Sequence, residues 1–261
     1  MFLQRLYPIL YRIGLVAFGG GCVIGIVYSL QTSGRPPSIS LTAPHVRYIQ
    51  SLAERRDYES AAAQILVAQE LTSSYQVVPG LEPAFYGAVA VELLEREEKH
   101  LADKHFGRLL EAIAHLPSIP HDDKVLVDAL AVAAEKSTYW FEQQQNPRSM
   151  ENQIKLLNDV AWIRATHPDA SFRDGAQAVR LATNVNDMLR GQNVSVLDTL
   201  AAAQAEIGEW RRAANTLRKA VGRAEATSVP AAVVADMKKR LSLYEAQKPY
   251  RDPGMKSGKA D

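Results

Sequence analysis

The chain carries two hydrophobic patterns. The first is a continuous run. Ile13 to Leu30 reads IGLVAFGGGCVIGIVYSL, eighteen positions without a charge. In a helix such a run rises roughly 27 Å, close to the ~30 Å hydrocarbon core of a bilayer. Arg12 stands just before it, where its head can reach the phosphates, and Tyr7, Tyr11 and Tyr28 flank it as interfacial aromatics. The second pattern runs from Leu41 to Gln247 and is helical throughout, with apolar positions three and four apart and no alternating run of β-branched residues. The spacing predicts helices over Ala43–Arg55, Tyr58–Leu71, Pro83–Glu97, Lys99–His115, Asp123–Gln145, Met150–Thr166, Phe172–Leu189, Ser195–Ile207, Trp210–Ala224 and Pro230–Gln247. Breakers separate them at Pro79-Gly80, Pro117 to Pro120, Asn146-Pro147 and His167-Pro168. Gln31 to Ser40, QTSGRPPSIS, reads as an extended linker, and the polar tail from Lys248 to Asp261 as a loose end.

Three other readings of the first run fit less well than a retained membrane helix. A cleaved signal peptide needs a small-x-small site, and Gln31-Thr32-Ser33-Gly34 is a poor one. A lipidated cysteine opens a polar tether, whereas Cys22 follows Gly19-Gly20-Gly21 and is itself followed by apolar residues. A helix buried in a soluble core would lose about 1 kcal/mol at each interior glycine, and the run holds Gly14, Gly19, Gly20, Gly21 and Gly25. In a bilayer glycines are common, and Gly21 with Gly25 forms a G-x-x-x-G pair that lets a second helix approach; simple membrane-helix composition explains them equally well. Arg5 and Arg12 precede the run and only Arg35 follows closely. The positive-inside rule therefore places residues 1–12 in the cytoplasm and the remainder outside it. The resulting division is a short N-terminus (1–12), a transmembrane helix (13–30), a linker (31–41), helix pairs (42–117), an irregular or long-helix connection (118–148), a C-terminal helical region with a capping helix (149–247) and a flexible tail (248–261).

Charge and chemistry narrow the function classes. The formal net charge is +1, and without Arg5 and Arg12 the rest of the chain comes to −1, so no basic field calls for nucleic acid. A single cysteine, Cys22, makes no internal disulfide and no thiolate metal site. No glycine loop for phosphate precedes a helix, since the triple glycine lies in the apolar run. Glu97-x-x-His100 has the spacing of half a di-iron motif, but such bundles need two of these and two further glutamates. Within Glu95-Arg96-Glu97-Glu98-Lys99 it reads better as a solvated helix end. His100 and His105 point to different helix faces, His121-Asp122-Asp123 is a helix start, His167 sits in a turn, and Asp198 has no evident catalytic partner. Asn193-Val194-Ser195 fits a glycosylation acceptor and is given no role. No catalytic, cofactor or metal residue is assigned.

The helical region repeats itself. With Gly208-Glu209-Trp210 as a turn, Leu200 and Ala201 occupy the contact of the first helix, and Ala213, Leu217 and Ala220 that of the second. The same ruler fits Arg56-Asp57-Tyr58 followed by Ala61, Ile65 and Ala68, and Glu97 followed by Ala102, Phe106 and Leu109. Each pair has an apolar stripe too wide to bury alone, so neighbouring pairs must stack.

These features resemble bacterial tetratricopeptide-repeat proteins. The likeness is carried by Leu157-Asn158-Asp159-Val160-Ala161-Trp162, Ala165-Thr166-His167-Pro168-Asp169, Phe172-Arg173-Asp174-Gly175-Ala176, Ala178-Val179-Arg180-Leu181-Ala182, Val196 to Ala203 and Ala205 to Trp210. It ends in Arg240-Leu241-Ser242-Leu243-Tyr244 and Pro249-Tyr250-Arg251. The family implies an α-solenoid that binds proteins and no fixed reaction. The chain departs from it at Gln204, where a tyrosine is usual, between Pro117 and Pro147, which reads as one long helix, and in a spacing from Ala61 to Ala102 longer than the usual ~34 residues.

On the same ruler the inner groove takes Ala43, Val46, Gln50 and Ala53, then Ala84, Gly87, Val91 and Leu94, then Lys155, Asn158, Trp162 and Ala165, and last Ser195, Asp198, Ala202 and Ala205. Members that clamp an acidic C-terminus use Lys and Asn in several units. This groove is largely neutral and suits a helix or apolar segment, although its small residues would equally pack against the chain's own helices. Lys155, Asn158, Trp162, Asp198, Val91 and Leu94 are the expected partner-binding residues, with Trp162 either a groove anchor or a core residue. The expected function is a membrane-tethered adaptor for a protein partner, a membrane protein among the partners expected, or alternatively an accessory subunit of a larger membrane complex packed through Gly21 and Gly25.

Overall fold

The computed structural model describes residues 48, 51–52, 55–64, 81–116, 118–119, 121–122, 124–141 and 147–255. The expected membrane helix Ile13–Leu30, with Gly21 and Gly25, and the first groove set Ala43, Val46, Gln50 and Ala53 lie outside these residues. Among the described residues no helix is long and apolar enough to cross a membrane. The described chain is all helical: α1 (Leu81–Glu95), α2 (Lys99–Ala114), α3 (Lys124–Phe141), α4 (Pro147–Thr166), a 3₁₀ turn (Ala170–Phe172), α5 (Gly175–Met188), α6 (Val194–Glu206), α7 (Trp210–Ala226) and α8 (Ala231–Glu245). It falls into two compact units, divided between Leu116 and Pro117.

One turn recurs in both units. Arg56, Glu97 and Gly208 all take a left-handed backbone, with φ of 65°, 63° and 81°. The next amide in each case bonds the carbonyl five residues back: Asp57 to Leu52, Glu98 to Leu93 and Glu209 to Gln204, each at 2.9 Å. This closes the preceding helix by satisfying a terminal carbonyl. The following helix then opens with Ala61 N–H to Asp57 O, Ala102 N–H to Glu98 O and Ala213 N–H to Glu209 O at 3.0, 3.0 and 2.9 Å. Those three alanines retain 0%, 1% and 0% of their accessible surface. A methyl group is the largest side chain that lets two helices close on each other directly beside so short a turn.

In the first unit α1 and α2 pack as one such hairpin over Phe85, Val89, Leu93, Phe106, Leu109 and Ile113, all buried. The helical segment 58–64 joins α2 through a Lys104–Glu59 ion pair at 2.8 Å. His105 lies against the Tyr58 ring edge at 5.4 Å and stacks near Tyr86 at 6.0 Å.

In the second unit each helix packs on the next from α3 to α8, and α4 also packs on α6, so first helices of successive pairs touch. That arrangement fits an α-solenoid. The small residues Ala201, Ala202 and Ala205 of α6 are buried and permit this approach. Gln204 is buried and accepts a bond from Thr216 Oγ1 across the α6–α7 hairpin at 2.9 Å. Pro147 opens α4, since the first helical position needs no N–H donor.

The stretch expected as one helix from Phe172 to Leu189 is instead a 3₁₀ turn followed by α5. Asp174 is extended (φ −148°, ψ 89°), and its side chain accepts from Gln177 N–H, so it starts α5 as a cap. Phe172 is held away from that helix by stacking on His167, with ring centroids 4.0 Å apart. Buried Arg164 ties the turn to α3, donating to Phe172 O at 2.9 Å and Asp128 Oδ1 at 2.6 Å. A Cβ on Gly175 would stand 2.7 Å from Ile207 Cγ2, so glycine lets α5 begin against the end of α6.

After α8 the chain reverses. Gln247 is left-handed (φ 56°), and Lys248 N–H bonds Leu243 O at 2.8 Å. The tail, expected to be loose from Lys248, returns across α4 as far as Met255, which is buried. Residues 256–261 lie outside the described chain.

Candidate functional site

The first helices of the second unit converge on one seam. Helix α4 supplies Trp162 and Thr166, four apart and so on one face; α6 supplies Asp198; α8 supplies Arg240 and Tyr244, again four apart. Arg240 grips Asp198 with a two-point fork, Nε to Oδ1 at 3.0 Å and Nη2 to Oδ2 at 2.6 Å. The guanidinium carbon lies 5.6 Å from the Trp162 ring centre and 5.3 Å from that of Tyr250. A weakly hydrated planar cation is suited to this double aromatic contact.

Burial pushes the Asp198 carboxyl up, and the Arg240 charge and its hydrogen bonds pull it back. Burial alone would lower Arg240, but Asp198 outweighs it and the guanidinium is held above its usual value. Each member of the pair thus favours the charged form of the other. Buried Tyr244 sits beneath it. Burial raises its hydroxyl, and the Asp198 charge adds to that; Oη has no hydrogen-bond partner among the described residues.

The returning tail closes over this pair. Trp162 Nε1–H donates to Asp252 Oδ2 at 2.8 Å, and the Tyr250 ring lies 5.9 Å from the indole. Asp252 N–H donates to Thr166 O at 2.9 Å, and Arg251 Nη1 reaches Ala165 O at 3.4 Å. These are carbonyls at the end of α4, which have no partner within the helix. Arg251 Nη1 also donates to Glu206 Oε2 at 2.6 Å, while Arg173 Nε takes the other oxygen of that carboxylate at 3.0 Å. Asp252 Oδ1 accepts from Gly254 N–H at 2.9 Å, which fixes the tail's own turn.

Of the expected groove residues, Trp162 and Asp198 are brought together through Arg240. Lys155 and Asn158 lie earlier on α4, both half-buried, grouped with Asp159. Burial raises the Asp159 carboxyl, and the Lys155 charge and the Asn158 side chain draw it back. Val91 is buried and Leu94 half-buried on α1, in the other unit. Gly21 and Gly25 lie outside the described residues. The ruler did not find Arg240, Glu206, Tyr250, Arg251 or Asp252. Their signal was present in the tail, where Pro249 and Pro253 bracket Tyr250-Arg251-Asp252, a composition suited to an extended strap carrying an aromatic anchor.

Among the described residues no three or more His, Cys, Asp or Glu side chains gather to hold a metal ion. No protein-family model, curated protein or solved structure matches the chain.

Proposed function

We propose that the chain is a protein–protein interaction scaffold of tetratricopeptide-like helix pairs, tethered to the inner membrane by residues 13–30 with its helical region on the non-cytoplasmic side. The observation that carries the reading is the repeated unit itself: a left-handed turn followed by a buried alanine at Arg56–Ala61, Glu97–Ala102 and Gly208–Ala213. Stacked pairs of this kind leave a row of first-helix side chains on one face, and such a face accepts a segment of another protein. Trp162, half-buried beside Arg240, supplies the large aromatic around which binding energy concentrates.

The membrane tether rests on the uncharged run and on Arg5 and Arg12. The Gly21-x-x-x-Gly25 pair favours a second reading, an accessory subunit held in a larger membrane complex by helix packing as well as by the groove. Crosslinking the full chain in native membranes and recovering its partners tests the proposal, with a chain beginning at Ser38 run beside it. A scaffold captures the same partner in both forms, whereas an integral subunit needs residues 13–30. Recovery of no specific protein by either form contradicts both.

A further inference from the structure

We propose that Pro249–Met255 is an internal ligand of the α4–α6–α8 seam, and that the partner enters by displacing it with an extended segment bearing the same groups in the same order: an aromatic ring, a guanidinium and a carboxylate. This deepens the scaffold reading and rests on it.

The tail is bound as a peptide is bound. Residues 248–252 have no helix of their own, yet three consecutive side chains all engage groups of the helices, two of them at Trp162. Tyr250 lies against Trp162 and Arg240. Arg251 donates to Glu206, and Asp252 accepts from Trp162 Nε1–H. One backbone amide, that of Asp252, bonds the last carbonyl of α4, that of Thr166. Side-chain pockets together with a main-chain bond are how extended segments are read.

Two receptor side chains have partners besides the tail. Arg240 is held by Asp198, and Glu206 is held by Arg173. Removing the tail therefore leaves one indole donor, one carboxylate acceptor and two helix-end carbonyls already positioned. The attachment point favours release. Gln247 and Lys248 are exposed, and the left-handed turn at Gln247 lies outside α8, so the strap can swing away without unwinding a helix. Tethering so close to its site gives the tail an effective concentration in the millimolar range, so a competing peptide in trans must overcome that advantage.

The probe is a fluorescent synthetic peptide with the sequence of residues 247–255, added to the full chain and followed by anisotropy. The receptor is compared with its full-length R251A/D252A variant, whose tail has lost its polar anchors. The variant is expected to bind the peptide at least tenfold more tightly than the parent. Adding W162F, which keeps a ring but removes the indole N–H, should take most of that gain away; a scrambled peptide should not bind. Equal binding by parent and variant would overturn the proposal, and so would a variant that circular dichroism shows to be unfolded, because the tail would then be a permanent part of the core. Sedimentation supplies the remaining outcome. A dimer of the parent that is lost in the variant would assign the seam to the tail of a second copy and overturn a foreign partner. No partner need be known for these measurements, so their failure leaves the crosslinking test of the scaffold reading standing.

Discussion

Arg240 and Asp198, forty-two positions apart in the chain, meet through two hydrogen bonds with only 11% and 14% of their side-chain surfaces exposed. Removing one member leaves a buried charge unpaired. Arg240→Ala should therefore cost about 3–5 kcal/mol of stability, read as a loss in thermal or denaturant unfolding. The double change Asp198→Ala with Arg240→Ala should cost clearly less than the sum of the two single changes. Additive losses would mean that the fork does not couple α6 to α8.

The seam also predicts how the tail responds to Trp162. Trp162→Ala removes the Asp252 bond and the wall against which Tyr250 lies. Cleavage by trypsin after Arg251 should then accelerate, because the bond must open locally before the protease can reach it. Glu206→Gln should do the same to a smaller degree, through loss of the charged Arg251 contact. Mass spectrometry of the first cleavage product reads the effect. Unchanged cleavage at Arg251 in both variants would mean that these contacts do not hold the tail.

The buried alanines beside the recurring turns should resist enlargement. Ala61→Leu, Ala102→Leu and Ala213→Leu each force extra atoms between two helices, at a cost of roughly 1–3 kcal/mol. Thermal melts of the three variants check this, and melts that match the parent would show that the turns do not set the helix spacing.

Those turns are also where sequence reasoning reached furthest. A small residue four positions after a polar cap is a local signal, and the three sites share one backbone geometry even though only Gly208 is a glycine. Two features escaped it. Phe172 lies in an apolar pattern that continues into α5, and only Asp174, acting as a cap, and the stack of Phe172 on His167 divide it from that helix. The tail reads as polar and loose because its partners are remote: Trp162 is ninety residues from Asp252. No periodicity within the tail encodes that contact. Trp162 itself is half-buried, packed against the core and beneath the chain's own C-terminal strap.

His105 makes the first unit sensitive to acid. It is buried, Nδ1 lacks a hydrogen-bond partner among the described residues, and burial holds its pKa down at about 4. The Tyr58 and Tyr86 rings face it; Glu59 favours its charged form, while Lys104 and Arg108 oppose it. The unfolded imidazole protonates near its ordinary 6.5. Between pH 6.5 and 4 the unfolded chain therefore binds the proton and the folded one does not, so stability is full above that window and falls through it, by roughly 2–3 kcal/mol. Amide exchange in α2 across this range should show the loss, and His105→Phe should flatten it. The same slope in the variant would assign the effect elsewhere.

Orientation is open to a separate test. Alkaline phosphatase fused to the C-terminus should be active, and green fluorescent protein fused there should be dark, with the N-terminus left uncut. The opposite pair of results reverses the topology, and a mature protein beginning near Gln31 removes the anchor.

The account stands most directly on whether the first-helix face meets another protein. A photo-crosslinking residue placed at Lys155, on α4 beside the seam, is compared in native membranes with one at Arg218, on the outer face of α7. The account predicts a discrete protein adduct from position 155, of one partner identifiable by mass spectrometry, and none from position 218. The same adducts from both positions, or none from position 155, would contradict it.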